Sequence, residues 1–156
     1  MQELQTFNKS VGPIAVVDTG ILIEYLSGSN KGLKIKEMIF SNPFFVSVFV
    51  TSLNLIEIYY ILRRKNSEEK ATQLTNQIRE LTKLVPIDDS IELIGEIKSS
   101  TPFSIVDCSN IAVAESKNIK AIFKHEKEID KILEENSNLE FIGRIVFVDD
   151  FSYYNS

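Results

Sequence analysis

Four acidic residues, Asp18, Glu57, Asp107 and Glu126, lie beside or within apolar segments of the chain. Carboxylates that are held close together repel one another, so one of them must be protonated unless a cation neutralises them. Sites built from carboxylate oxygens suit hard divalent ions such as Mg²⁺ or Mn²⁺. Such an ion activates water and stabilises charge on a phosphoryl group, and this chemistry needs no Ser, Cys or His nucleophile. The four acids therefore predict a metal site for phosphoryl chemistry, provided that the fold brings them together.

Glu57 is the most informative of the four, because it lies inside a helix-like segment with apolar residues, Leu53 and Ile61, four positions away on either side. Within that helix only Asn54 and Tyr60 offer a polar group at neighbouring spacing. An ionised carboxylate on an apolar face is costly unless it is paired or coordinated. A salt bridge to a base elsewhere in the fold is the alternative to a metal.

The other three acids also have ordinary structural explanations. Asp18 follows an apolar run and can cap the next helix. Asp107 stands three residues after Ser104, an arrangement that resembles a capping box with Asp in place of Glu. Glu126 falls in a predicted first helical turn, where the helix dipole favours acids. A capping role and a ligand role can coexist in one residue.

The elements that must position these acids alternate along the chain. Short apolar runs predict strands at 14–17, 44–48, 84–87, 121–123 and 145–148. Helical patterns fall between them, at 20–26, 33–40, 52–65 after a cap at Thr51 or Ser52, 67–81, 88–98, 104–118 and 125–135. Unbroken apolar strands separated by helices predict an α/β fold with a mostly parallel sheet covered on both faces. In such sheets the functional crevice lies beyond the carboxyl ends of the strands.

Composition restricts the class of protein. The 156 residues fit one domain, and the longest apolar windows are far shorter than the roughly 20 residues of a membrane helix. The single cysteine, Cys108, and the polar start of the chain, without a secretory signal pattern, predict a reducing, cytoplasmic location. The net charge of -5 disfavours nucleic acid as a ligand. Setting the four acids aside as a cation site leaves 17 basic against 18 acidic residues, which removes most of that objection.

Three segments in order resemble the PIN-domain ribonucleases, above all the small prokaryotic VapC-type toxins. They are VDTGIL at 17–22, TSLNLIEIYYIL at 51–62, and SIVDC at 104–108 with IAVA at 111–114. The resemblance covers about residues 14–149. It implies a three-layer α/β/α sandwich around a five-stranded parallel sheet, in a single domain over 1–156 with its core at about 14–149 and a polar N-terminal extension at 1–12. It also implies a Mg²⁺ or Mn²⁺ site that cleaves RNA.

The family's site residues map onto Asp18, Glu57 and Asp107, with Thr19 as the hydroxyl residue beside the first Asp. The fourth position departs from the family pattern, because Lys124 stands where the hydroxyl residue is usual and Glu126 where the Asp is usual. The resemblance implies a metal-dependent endoribonuclease with an antitoxin partner. Separately, apolar residues expected at the surface of the second and fourth helices favour a homodimer. The altered fourth motif leaves open a non-catalytic PIN-like module for protein or RNA binding, and a metal phosphatase or DNA nuclease shares the same carboxylates.

The remaining reactive or charged groups have simpler interpretations. His125, the only histidine, is expected to be an ordinary surface residue. Lys124, with Lys127 and Lys131, either meets phosphate or forms a solvated helix face. The basic cluster at 63–65 is expected mainly to complement the end of its helix.

Overall fold

The computed structural model describes residues 2–136 and 138–156. In this part of the chain the α-helices are α1 (Gln2–Val11), α2 (Thr19–Leu26), α3 (Asn30–Ile35), α4 (Ser52–Lys65), α5 (Glu68–Leu81), α6 (Ile91–Ser100), α7 (Ile105–Lys117), α8 (Lys127–Glu135) and α9 (Ser152–Asn155). The strands are β1 (Ile14–Val17), β2 (Ser47–Thr51), β3 (Lys83–Val85), β4 (Lys120–Phe123) and β5 (Ile145–Phe147). A π-helical turn extends α3 over Lys36–Phe40, and 3-10 turns lie at Asp88–Ser90, Glu140–Arg144 and Val148–Asp150.

The strands described form one parallel sheet in the order β3-β2-β1-β4-β5. The chain builds the sheet outward from β1 to β3 on one side, and then returns to add β4 and β5 on the other side of β1. The order therefore reverses between β1 and β4, where Val16 lies opposite Ala121. Their carboxyl ends mark the edge at which parallel α/β sheets bind ligands.

Alternate residues of β1 enter separate apolar cores on the two faces of the sheet. Ala15 and Val17 pack with α1, α2, α3 and α4, whereas Val16 packs with α6, α7 and α8. A helix layer on each face explains why the central strands are apolar throughout. The predicted α/β/α sandwich with a five-stranded parallel sheet is confirmed.

Several helix starts lie where their capping residues predict them. Thr51 and Asn54 form a reciprocal capping box at the start of α4. The hydroxyls of Ser67 and Ser104 accept backbone N–H groups at the starts of α5 and α7. Side chains that satisfy these N–H groups fix the helix boundaries.

Other boundaries differ from the predictions for local reasons. β2 begins at Ser47 and not at 44, because the Asn42 side chain holds the N–H of Phe44 in a turn. β3 ends at Val85, before Pro86, which has no N–H to donate to a strand ladder. α6 begins at Ile91 and not at Asp88 or Asp89, because residues 88–90 form a 3-10 turn. Similarly, α8 begins at Lys127 and not at 125.

Residues 2–11, for which the sequence predicted only a polar extension, form a helix that packs on the core. Phe7 is 0% exposed, and its ring meets Phe151 edge-on with the centroids 5.1 Å apart. Tyr154 of α9 is buried in the same core. Within residues 2–136 and 138–156, no helix combines the length and apolar character needed to cross a membrane.

Candidate active site

A cavity of about 510 Å³ lies at the carboxyl ends of β1 and β4. Its lining contains Asp18, Glu57, Asp107 and Glu126, which are up to 108 residues apart in sequence. Thr19 and Lys124, the two accessory candidates, also line it, together with Gly20, Ile23, Glu24, Ile61, Ser104, His125 and Glu128. The fold thus brings every candidate site residue named from the sequence to one place.

Asp18 both caps a helix and faces this cavity. Its Oδ2 accepts the N–H of Gly20 at 3.3 Å, and its Oδ1 accepts Nδ2 of Asn110 at 3.0 Å. The side chain is deeply buried, with 4% of the residue exposed. Burial raises the pKa of Asp18 well above its usual range, and the negative charges of Asp107 and Glu126 raise it further. The capping explanation is therefore correct, and it does not remove the carboxylate from the site.

Asp107 is held at the start of α7, where the Ser104 hydroxyl accepts its backbone N–H at 3.1 Å. Desolvation raises the pKa of Asp107 to about 6, and the charges of Glu126 and Glu57 contribute to the increase. Hydrogen bonds with Ser104 and Asp18 offset part of it. A carboxylate whose pKa is raised by its acidic neighbours is one whose charge a cation would stabilise.

Glu57 is half-buried on α4, and the hydroxyl of Tyr60 donates to its Oε2 at 3.4 Å. The sequence left a salt bridge as the alternative to a metal at Glu57. Within the described part of the chain, no basic side chain forms such a salt bridge with it. Asn54, the other polar neighbour, instead directs its amide to Thr19. Glu57 thus enters the cavity wall as a carboxylate supported by one phenol.

Glu126 occupies the residue before α8, not the first helical turn that the sequence predicted. Its Oε1 and the Oδ2 of Asp18 each lie 3.4 Å from the point where a Cβ on Gly20 would stand. The two oxygens are therefore no more than twice that distance apart. Burial raises the pKa of Glu126, the charges of Glu57 and Glu128 raise it further, and Lys124 lowers it.

A buried hydrogen-bond chain supports the cavity from below. Asn54 donates from Nδ2 to Oγ1 of Thr19 at 3.0 Å, and its Oδ1 accepts from the N–H of Thr51 at 2.9 Å. The Thr51 and Ser109 hydroxyls are 2.9 Å apart. These contacts tie α2, α4 and α7 together, which fixes the backbone positions from which the carboxylates project.

The family model described as PIN domain matches residues 15–134 of the chain. The chain belongs to the PIN domain family. No curated protein sequence matches it significantly. The resemblance that the three sequence segments carried is therefore confirmed.

Solved structures show how widely this PIN fold is shared. A chain of a toxin–antitoxin complex from Klebsiella pneumoniae is 16% identical, with a TM-score of 0.59, and the match covers 85% of this chain and 95% of that one. VapBC2 from Rickettsia felis, solved with a DNA fragment from its promoter, is 13% identical with a TM-score of 0.64, covering 86% and 98%. VapC20 from Mycobacterium tuberculosis, described as a sarcin-ricin loop cleaving toxin, is 22% identical with a TM-score of 0.56, covering 69% and 86%. At these identities the similarity establishes the fold.

In this PIN domain Lys124 contacts an acid that sequence reasoning missed. Its Nζ lies 3.5 Å from Oε2 of Glu24, which lines the cavity from α2. Asn110 was also missed, although a polar residue within the apolar segment of α7, three positions after Asp107, was a usable signal. Its partner Asp18 lies 92 residues away, so the sequence offered no sign of the contact itself.

His125 of this PIN domain is not the ordinary surface residue that the sequence predicted. Its Nδ1 lies 2.5 Å from Asp130 and its Nε2 2.8 Å from Asp150, while its ring stacks on Phe147. Although desolvation lowers the pKa of His125, the hydrogen bonds with Asp130 and Asp150 raise it overall. Both ring nitrogens are engaged by carboxylates, so the histidine fastens the start of α8 to the C-terminal segment and is a poor general base.

The donor chemistry of the cavity fits a hard divalent ion. Its carboxylates offer only oxygen donors, burial and acidic neighbours raise the pKa values of Asp18, Asp107 and Glu126, and the buried Oδ1 of Asn110 has no hydrogen-bond partner among the described residues. Across residues 2–136 and 138–156, no three His, Cys, Asp or Glu side chains are grouped closely enough to hold an ion by themselves. Mg²⁺ usually binds through one or two carboxylates and keeps several waters, so such a grouping is not required. The site therefore fits an ion that is bound partly through water.

Proposed function

We propose that this PIN domain is a Mg²⁺- or Mn²⁺-dependent endoribonuclease that acts as the toxin of a toxin–antitoxin pair. The observation that carries the proposal is the meeting of Asp18, Glu57, Asp107 and Glu126 in one cavity at the carboxyl ends of β1 and β4. Membership of the PIN family and the fold shared with a sarcin-ricin loop cleaving toxin support RNA as the substrate. A cytoplasmic location and a homodimer stay predictions.

The side chains divide the work of such a site. Asp18, Glu57 and Asp107 would hold the ion directly or through its bound waters, with Glu126 assisting through its longer side chain. When bound, the ion would neutralise charge on the scissile phosphate and lower the pKa of an attacking water. Asn110 holds the Asp18 carboxylate in one orientation through the 3.0 Å bond to Oδ1. Lys124, on the same cavity wall, offers a positive charge to a phosphate oxygen.

An antitoxin partner is supported by the structures to which the chain is similar. Two of them are chains from assemblies named as a toxin–antitoxin complex and as VapBC2. For this chain we propose a partner of the same kind, encoded in a neighbouring small reading frame. Copurification of the chain with the product of such a frame is the observation that tests the pairing.

The proposed activity is tested with Asp18→Asn, which keeps the size and a capping oxygen of the side chain but removes its charge. We expect wild-type protein to cleave single-stranded or structured RNA with Mg²⁺ or Mn²⁺, and Asp18→Asn to lose this activity while its circular dichroism spectrum is unchanged. Asp88→Asn makes the same chemical change at an exposed residue outside the cavity and should cleave like the wild type. Undiminished cleavage by Asp18→Asn contradicts the assignment.

A second candidate function is a non-catalytic PIN-like module for protein or RNA binding. The replacement of the usual hydroxyl and Asp by Lys124 and Glu126 favours it. Calorimetry with Mn²⁺ separates the two, because the module should show no binding site, whereas a site that Glu57→Gln removes supports the nuclease. A panel of RNA, DNA and phosphomonoester substrates separates a ribonuclease from a DNA nuclease or a phosphatase.

A further inference from the structure

One face of α4 continues from the carboxylate cavity to the exposed surface. Glu57 and Ile61 line the cavity, and Tyr60 and Arg64 lie three and seven positions after Glu57. Residues at this spacing share one face of an α-helix. The cavity wall therefore extends along α4 as a strip that carries an aromatic ring and then a guanidinium group.

Contacts within the strip hold the ring of Tyr60 in place. Its hydroxyl donates to Oε2 of Glu57 at 3.4 Å, and the guanidinium carbon of Arg64 lies 4.9 Å from the ring centroid. Even so, 40% of Tyr60 is exposed. Because its hydroxyl and one face of its ring are held by neighbours, the exposed part of Tyr60 would lose little further conformational entropy when a base stacks on it.

The charge distribution favours a nucleic-acid strand on this strip. The cavity lining includes six acidic residues, Asp18, Glu24, Glu57, Asp107, Glu126 and Glu128, so the cavity by itself repels phosphates that flank the scissile one. Arg64 lies in the last turn of α4, between Arg63 and Lys65. Seven helical residues place it about 10 Å along the axis from Glu57, a distance that a few nucleotides of single strand bridge. A guanidinium can stack on an aromatic ring and also donate to phosphate.

We propose that Tyr60 and Arg64 form a substrate track for single-stranded RNA beside the reaction site. Tyr60 stacks a base close to the scissile phosphate, and Arg64 contacts a phosphate further along the strand. The inference rests on the proposed ribonuclease activity and adds the residues that position the strand. Stacking on an aromatic platform tolerates any base, so this track contributes affinity for single strands and little sequence preference.

The test measures binding separately from cleavage. A short fluorescently labelled single-stranded RNA is titrated with each variant in EDTA, and binding is followed by anisotropy. We expect Tyr60→Ala to weaken binding about 5- to 150-fold, the range typical of one lost base stack. Tyr60→Phe keeps the ring and loses only the bond to Glu57, so it should stay within about threefold of the wild type.

Arg64→Gln should weaken binding and lower the slope of log affinity against log salt by about one. The matched control is Arg79→Gln, the same change at an exposed residue of α5 outside the cavity lining. The control should leave the salt slope almost unchanged.

Each result bears on the track separately from the nuclease activity. If Tyr60→Ala binds RNA with wild-type affinity, the track is overturned even if the protein cleaves RNA. It is also overturned if the control Arg79→Gln loses as much affinity as Arg64→Gln. If Tyr60→Ala binds RNA with full affinity but no longer binds the antitoxin, this face of α4 belongs to a protein partner, and the RNA track is overturned. Tyr60-dependent binding in a protein that cleaves no RNA supports the track and contradicts the proposed activity.

Discussion

Asp107→Asn should make the metal-free protein more stable, although it removes a residue of the proposed reaction site. The pKa of Asp107 is raised from 3.8 to about 6 by desolvation and by the charges of Glu126 and Glu57, with the hydrogen bond to Ser104 opposing the increase. The folded state therefore holds this carboxylate less favourably in its ionised form than the unfolded chain does. Asparagine keeps the shape of the side chain and removes the charge.

The size of the effect follows from the pKa. A tenfold difference in proton affinity corresponds to about 1.4 kcal/mol, so the change from 3.8 to about 6 amounts to about 3 kcal/mol in the free energy of unfolding. Asp107 is half-buried, and solvent screening reduces this figure. The substitution also loses the favourable interaction of an acid with the first turn of α7, about 0.3–1 kcal/mol. A net gain of about 1–2 kcal/mol remains.

The gain depends on pH with a definite sign. Between pH 3.8 and about 6 the unfolded chain loses the Asp107 proton before the folded protein does, so the folded state binds more protons. The stability of the wild type therefore falls as the pH rises through this window and levels off above it. The advantage of Asp107→Asn should be complete at pH 7.5 and should shrink towards pH 4.

Urea unfolding in EDTA, followed by circular dichroism at pH 7.5 and pH 4.5, measures the difference. Glu96→Gln, at an exposed position of α6, makes a comparable change away from the cavity and should stay within about 0.5 kcal/mol of the wild type. A destabilised Asp107→Asn at pH 7.5, or the same gain at both pH values, refutes the reasoning that burial and the neighbouring acids disfavour the ionised form of Asp107 in the folded protein.

Two further substitutions test whether Asn110 orients Asp18 and whether Phe7 attaches α1 to the core. Asn110→Ala removes the side-chain donor to Oδ1 of Asp18. It should lower the rate of single-turnover RNA cleavage about 10- to 100-fold, as expected when a group that orients a metal ligand is lost. Cleavage at the wild-type rate would show that Asp18 needs no such support. Phe7→Ala empties a fully buried position and should cost about 3–5 kcal/mol in urea unfolding. A cost below 1 kcal/mol would mean that α1 is only loosely attached.

The sequence was informative where a local pattern determines a local structure. Ser104 and Thr51 begin helices because their hydroxyls satisfy free N–H groups, and this pattern is visible in a few residues. Glu57 could be identified as unusual because its helical neighbours are apolar. Asp18 could be placed at the sheet edge because it directly follows an apolar strand.

Features that depend on distant contacts could not be predicted in the same way. The bond of His125 to Asp150 joins residues 25 positions apart, and nothing in the local sequence pairs them. α1 was missed because its outer face is polar, and only Phe7 and Val11, with Leu4 partly buried, attach it to the core. The start of β2 was misplaced because Phe44 and Phe45 are strand-forming residues by composition, yet they lie in a turn that Asn42 holds.

The central claim is that the carboxylate cavity uses a divalent ion to cleave RNA. The most direct measurement is the cleavage rate of a labelled single-stranded RNA by protein first freed of metal with EDTA and then titrated with Mn²⁺. We predict no cleavage in EDTA and a rate that rises to saturation with Mn²⁺ in the wild type. Cleavage that persists in EDTA, or that no concentration of Mn²⁺ or Mg²⁺ restores, contradicts the claim.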